Sequence, residues 1–363
     1  MRRRLLVVCL CFLLVLPAGC APKKRTAVPV FFAGSLIIPF QELEAAYEAQ
    51  HPEVDLLLEG HGSIQVIRHV TEIHELIDVV VTADHALIPM LMYSAQVPET
   101  RAPYADWYIE FATNKLSLAY RSDSRYANEI TADNWYEVIS RPDVRLGLAD
   151  PRFDACGYRA LMVVQMAEKL YGQPTLFEDL ITGSFRTGIT TRLENGRLVI
   201  HVPEILEVKD KSPLVLRAYS IQLIALLESG DLDYAFEYES VIKQHQLQSV
   251  ALPDELNLGA EALADHYGQV EVRMDYQRFA SVQPVFRGEP IAYGVTIPTN
   301  APHPAEAARF VAFLLGPEGQ KILLNNHQPL IIPGRASNFE RVPAALQPLC
   351  VPAPELSGTG LLR

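Results

Sequence analysis

A two-lobed α/β protein is what this sequence predicts, on three observations. Apolar strand-like runs alternate with helix-like periods through the first hundred residues. The 363-residue chain is too long for one ordinary domain, and 49% of it is hydrophobic with 20% charged, a balance that excludes a disordered or fibrous chain. The 43 acidic residues outnumber the 31 basic ones for a net charge of −12, so nucleic acid and acidic membrane surfaces are poor partners.

The N-terminus reads as an export leader: Arg2, Arg3 and Arg4, an apolar run from Leu5 to Leu16, then Pro17-Ala18-Gly19-Cys20. The run falls short of the roughly 20 residues of a membrane-spanning helix, which makes it the core of a signal peptide over residues 1–19. Small residues before Cys20 resemble the lipobox of bacterial lipoproteins, although Pro17 stands where Leu is usual. An ordinary secretory signal cut nearby is the alternative. The lipobox implies that Cys20 is lipidated and that residues 20–27 tether the protein to the extracytoplasmic face of a membrane or in the periplasm. Loss of the three arginines brings the mature charge to −15. With Cys9 and Cys11 in the leader and Cys20 consumed by lipid, Cys156 and Cys350 remain, and they pair only if their Cα atoms approach within about 7 Å. No zinc-type spacing occurs.

Val28 to Phe32 reads as a strand ending in Ala33-Gly34-Ser35. Pro39 to Gln50 follows as a helix with Phe40, Leu43, Ala46 and Tyr47 on one face. Val54 to Glu59 is a second strand, closing on Gly60-His61-Gly62-Ser63 before a helix through Ile64, Ile67, Val70 and Ile73. Ile77 to Val81 is a third, broken by Thr82-Ala83-Asp84, with a helix from His85 to Tyr93. This βαβ succession predicts a parallel sheet with helices on both faces. From Phe111 a second region begins, with a strand at Lys115 to Arg121, a short helix at Asn134 to Ile139, a buried strand at Arg145 to Ala149 and an amphipathic helix at Tyr158 to Leu170. Gly183 to Gly196 has no clear period. Leu198 to Val202 and Leu232 to Phe236 read as strands and Ile221 to Glu228 as a helix. Strands return near Val282, the helix Ala305 to Leu315 follows, and the residues after Pro343 read as a tail rich in Pro and Gly.

Enzyme signatures fail. There is no G-x-S-x-G elbow and no phosphate loop, and Gln65 stands where Gly60 and Gly62 would need a third glycine. Histidines 51, 61, 69, 74 and 85 read as solvated surface groups, since His69 and His74 fall on different helix faces. What survives is a pair of strand-to-helix turns bearing Ser35 and Ser63. Each serine either caps its helix or meets a ligand. Two such turns in neighbouring βα units favour the ligand, because open α/β sheets bind at the carboxyl ends of their strands. Hydrogen-bond donors at contact distance there outweigh screened distant charge, so a small anion suits the place.

Phe32-Ala33-Gly34-Ser35-Leu36, Gly62-Ser63, Asp154-Ala155-Cys156-Gly157-Tyr158-Arg159, the segment Ile224 to Tyr238 and Gln328-Pro329-Leu330-Ile331-Ile332-Pro333 together resemble the tungstate/molybdate-binding proteins of ABC importers, the WtpA type related to ModA. The likeness runs from Val28 to Ala336. It implies a two-lobed, type II periplasmic-binding-protein-like fold, each lobe a mixed sheet flanked by helices, with the ligand between lobes. Residues 28–110 with 286–342 would form lobe 1, 111–285 lobe 2, and 343–363 the tail. It also implies a monomeric, non-enzymatic protein without cofactor whose partners are an oxyanion and a membrane permease. Gly34, Ser35 and Ser63 would bind from lobe 1, and Asp154, Ala155, Cys156, Ser220 and Tyr238 from lobe 2. Tyr238 would donate its phenolic hydrogen. Asp154 would ligate tungsten or molybdenum directly, since these centres expand their coordination and sulfur does not.

One departure is visible: the WtpA type places Glu where this chain has Ser220, so one carboxylate of two is missing. Glu237 neighbours Tyr238, but strand neighbours point to opposite faces, and Glu237 is expected to face away. Six-coordinate ligation and four-coordinate hydrogen bonding both stand at this point, as do two other readings: a binder of another tetrahedral oxyanion such as sulfate, and a ligand-sensing or enzymatic protein on the same fold. The leader generates a direct test. Cys20→Ala is expected to move the protein from the membrane to the soluble fraction on cell fractionation, and unchanged membrane association would refute lipidation.

Overall fold

The computed structural model describes residues 25–275 and 283–354. The signal peptide, Cys20 and the linker through residue 24 lie outside the described residues. β1 (Thr26–Ala33), β2 (Val54–His61) and β3 (Val79–Thr82) run parallel with β1 in the middle. The helices Ile37–Gln50 and Ser63–Thr71 make the crossovers. Val28, Val30, Val79, Val80 and Val81 are buried, as expected of a parallel sheet covered on both faces.

After β4 (Tyr108–Thr113) the chain passes through Asn114-Lys115 and builds two further sheets from β5 (Leu116–Tyr120), β6 (Leu146–Ala149), β7 (Thr190–Glu194), β8 (Arg197–Val202), β9 (Leu214–Arg217), β10 (Tyr234–Tyr238), β11 (Gln248–Ala251), β12 (Val270–Met274) and β13 (Val285–Arg287). It then returns to add β14 (Ala292–Thr296), β15 (Leu330–Ser337) and β16 (Cys350–Pro352) to the first sheet. The strand orders are β16-β15-β4-β14-β3-β1-β2, β11-β5-β10-β6-β9 and β13-β12-β8-β7. Two lobes result. The first sheet is mixed, because β14 runs antiparallel to both β3 and β4.

Three differences from the sequence reading have physical causes. The stretch without a period contains β7, an edge strand with no buried residue, so there is no buried face to produce alternation. The expected tail after Pro343 packs on lobe 1 as far as β16, which pairs Gly334 with Cys350 and buries Leu346. Cys156 and Cys350 are both free and buried, in different lobes.

The lobes meet closely. Tyr158 and Arg159, on the lobe 2 helix Ala155–Tyr171, reach Asp84 at the end of β3. The Tyr158 hydroxyl donates to the Asp84 carboxylate, and Arg159 Nη1 donates to the Ala83 carbonyl at 2.7 Å. Elsewhere backbone meets backbone: a Cβ on Gly62 would lie 2.3 Å from the Phe153 carbonyl oxygen and 2.7 Å from the Tyr219 ring. At Gly34 the same addition would rest 3.4 Å from Ile221, an ordinary contact.

Two outcomes follow from this contact. Gly62→Ala is expected to hold the lobes apart, seen as a larger radius of gyration in small-angle scattering, with little change in melting temperature because φ −64° and ψ 143° suit alanine. An unchanged scattering curve would refute closure through this contact. Tyr158→Phe keeps the ring stacked on Phe286, 4.2 Å between centroids, but removes the bond to Asp84. It is expected to cost about 1.5–3 kcal/mol in urea unfolding, and a smaller effect would mean that the bond contributes little.

Candidate functional site

Ser35 lies in the short turn Gly34–Leu36 after β1, and Ser63 opens the helix after β2, so both stand at carboxyl ends of parallel strands. Both are buried, and neither hydroxyl caps its helix. Ser35 Oγ is 2.9 Å from the Tyr293 hydroxyl. That hydroxyl also accepts from Asn114 Nδ2 at 3.2 Å, while the same amide donates to Ser240 Oγ at 2.8 Å. Ser63 Oγ accepts the Ala83 N–H at 2.9 Å, which leaves its own hydrogen available.

From lobe 2, Asp154 is the N-cap of the Ala155–Tyr171 helix. Its Oδ1 accepts the Cys156 N–H at 2.9 Å and its Oδ2 the Ser220 N–H at 2.8 Å. Ser220 is itself the N-cap residue of the helix Ile221–Ser229. One carboxylate therefore neutralises the positive ends of two helices. Burial pushes its carboxyl up, against the pull of those two N–H groups. The Cys156 N–H is spent on Asp154, and its thiol donates to the Phe236 carbonyl at 3.4 Å. Burial, then the charges of Glu237 and Asp154, push that thiol far above its usual range, so it stays protonated.

Sequence reasoning missed Arg159, Tyr293 and Asn114 as site residues. Arg159 is only 2% exposed. Its Nη1 donates to the Tyr238 hydroxyl at 2.8 Å, and its Nη2 lies 3.5 Å from the Asp84 carboxylate. The available signal was an arginine on a helix whose residues 155–167 are all buried, since a cation there requires partners. Tyr238, as acceptor from Arg159, keeps its own O–H for a further acceptor. Burial raises its phenol well above the ordinary value, so it remains a donor.

Glu237 is a correction. Strand alternation placed it away from the cleft, but both Glu237 and Tyr238 are fully buried. The Glu237 side chain turns back so that Oε1 accepts the Tyr238 N–H at 2.7 Å, and its carboxyl interacts with Asp154, Cys156 and the Ser220 hydroxyl.

Among the described residues, Asp84, His85 and Glu289 place one ligand atom each within 4.8 Å of one another. Asp84 is already engaged by Tyr158 and Arg159. His85 lies between Glu110, 3.6 Å from Nε2, and Glu289, 4.0 Å from Nδ1. These side chains meet one another, and His85 is buried among them, contrary to the expectation of a solvated histidine.

The structure thus gathers Ser35, Ser63, Asp154, Cys156, Ser220 and Tyr238 at one interlobe region, with Gly34 facing Ile221 and Ala155 opening the lobe 2 helix. The family model described as bacterial extracellular solute-binding protein matches residues 28–327. The molybdate/tungstate-binding protein WtpA of Thermococcus kodakarensis is 39% identical over 362 residues, covering 95% of this chain and 96% of that one. A solute-binding protein of Methanoculleus marisnigri is 40% identical over 326 residues, covering 90% and 87%. Among solved structures, the periplasmic molybdate-binding protein of Azotobacter vinelandii matches with a TM-score of 0.51 at 15% identity, covering 84% of this chain and 99% of that one, a likeness of fold. With the matching model spanning most of its length, this chain belongs to the bacterial extracellular solute-binding proteins.

Proposed function

We propose that this protein captures tungstate or molybdate between its lobes and delivers it to an ABC permease, acting as a monomer tethered through lipidated Cys20 and catalysing no reaction. The observation that supports this most is the set of buried hydroxyls from both lobes, Ser35, Ser63 and Tyr238, gathered around an interlobe arginine. Such donors suit a tetrahedral oxyanion: neutral, short and fixed by other bonds. Similarity to WtpA over nearly the whole chain supports the choice of anion. Asp154 is the discriminating group in this reading. Each of its oxygens accepts one backbone N–H and retains a lone pair, which a tungsten or molybdenum centre can take into an expanded coordination shell. Sulfate offers that oxygen only repulsion.

Calorimetric titration tests the reading. Tungstate and molybdate are expected to bind and sulfate to bind far more weakly. Equal affinity for all three would remove the metal-directed role of Asp154 and favour the general oxyanion reading. Ser63→Ala and Tyr238→Phe are each expected to lose about 1.5–3 kcal/mol, or about ten- to a hundredfold in affinity. Losses below threefold at both would place the ligand elsewhere.

A further inference from the structure

Glu237 presents a buried oxygen that no hydrogen bond of the protein holds, although the Ser220 hydroxyl lies close enough to act on its carboxyl. Its Oε2 is fully buried and without a hydrogen-bond partner, whereas Oε1 is occupied by the Tyr238 N–H. The residue paired with it across β10 and β5 is Ser117, whose side chain shares the same face and whose Oγ is likewise buried and unpartnered. Two such atoms on one face of the sheet are buried polar groups left for something other than the protein to satisfy. The groups that act on Glu237 come from several elements: Asp154 and Cys156 at the start of the Ala155–Tyr171 helix, Ser220 before the next helix, and Tyr293 on β14. All belong to the cleft.

Two buried carboxyl groups that act on each other do not both ionise readily. Asp154 accepts two backbone N–H groups and Glu237 one, so the negative charge belongs on Asp154 and the proton on Glu237. With Oε1 fixed as an acceptor, the hydrogen resides on Oε2, the oxygen that lacks a partner.

We propose that Glu237 is held in the cleft as an un-ionised carboxylic acid and donates its O–H to an oxygen of the bound oxyanion, an inference that rests on the oxyanion reading above. The site then contains one carboxylate, Asp154, and one carboxylic acid, which adds a donor without adding repulsive charge. All influences together push the Glu237 carboxyl up to about 8, burial being the largest. The Tyr238 N–H pulls it back, Asp154 pushes it further up, and the Ser220 hydroxyl pulls only weakly.

The sign of the pH effect follows. The acid is intact at neutral pH, and binding weakens as the pH rises through the carboxyl's own value, by about tenfold per pH unit beyond it. The experiment is calorimetric titration of tungstate, molybdate and sulfate at about pH 7 and about pH 9.5, on the wild-type chain and on Glu237→Gln, whose amide keeps a donor but cannot ionise. Wild type is expected to lose about thirtyfold in affinity between the two, and Glu237→Gln to lose most of that dependence. His85 and Glu289 are unchanged in both proteins, so the difference between them reports Glu237 together with its effect on Asp154. Binding that tightens with pH, or equal pH profiles in the two proteins, would overturn the proposal. A second readout needs no ligand: the infrared C=O stretch of a protonated carboxyl at pH 7, present in wild type and lost in Glu237→Gln. Absence of that band in wild type would overturn the acid form. If the band were present but wild type bound none of the three anions, the function reading would fall, and the donation with it, while the buried acid would stand.

Discussion

The buried guanidinium of Arg159 is the constraint on which the closed arrangement depends. A cation with this little exposure is tolerated only when its donors are met by fixed acceptors. Arg159 Nη1 finds one acceptor in its own lobe, the Tyr238 hydroxyl, and one on the other side, the Ala83 carbonyl, while Nη2 lies 3.5 Å from the Asp84 carboxylate as an ion pair and keeps its hydrogens unbonded. Parting the lobes would strip away the acceptors of lobe 1 and leave water to replace them. Satisfying this charge and closing the cleft are therefore one event. Because the same guanidinium uses the Tyr238 oxygen as its acceptor, that event also fixes the direction in which Tyr238 can donate.

In the proposed function, anion capture by a chain of net charge −12 follows from the same local bookkeeping of donors and acceptors. At physiological ionic strength charges beyond about 8 Å are largely screened, so the acidic surface matters less than the groups in contact. The N-termini of the two lobe 2 helices, a usual source of anion-binding donors, are spent here on Asp154, which takes one N–H from each. The side-chain donors left for a ligand are the hydroxyls of Ser63, whose oxygen is held by the Ala83 N–H, and of Tyr238, held by Arg159, together with the unbonded Nη2 of Arg159, while the Ser35 and Tyr293 hydroxyls share one bond that either can donate. A hydroxyl fixed through its oxygen needs little reordering when it donates. The site is thus preorganised by the bonds that leave those hydrogens free.

Much of the fold was legible in the sequence because its signals are local. The runs Val28 to Phe32, Val54 to Glu59 and Ile77 to Val81 became parallel strands with little change in bounds, since fully buried strands read as apolar runs. β7 was illegible because an edge strand without a buried face carries no alternation, and β16 because three residues in a Pro-rich stretch carry no period. At the site, Ser35 and Ser63 could be found from their place at strand ends. Arg159 and Tyr293 could not, as their partners lie up to 258 positions away and no spacing rule spans two lobes. Glu237 was misplaced because alternation gives the direction of Cβ and not the path of a long side chain, and this one folds back onto the next N–H.

The two kinds of interlobe contact have different mechanical consequences. Side chains at Asp84, Tyr158 and Arg159 can rotate or lengthen a bond and tolerate a range of lobe positions. The approach of Gly62 to the Phe153 carbonyl cannot, because backbone meets backbone with no room for a Cβ. A rigid stop at Gly62 sets how far the lobes close, and Ser63 is the next residue, so the stop also fixes the depth to which that hydroxyl enters the cleft. Ser220 lies beside Tyr219, the other residue at the stop. In the proposed function, ion size is consequently read by the backbone and ion chemistry by the side chains. Such a division lets Asp154 and Glu237 differ in protonation without altering the width of the site, because neither residue forms the stop.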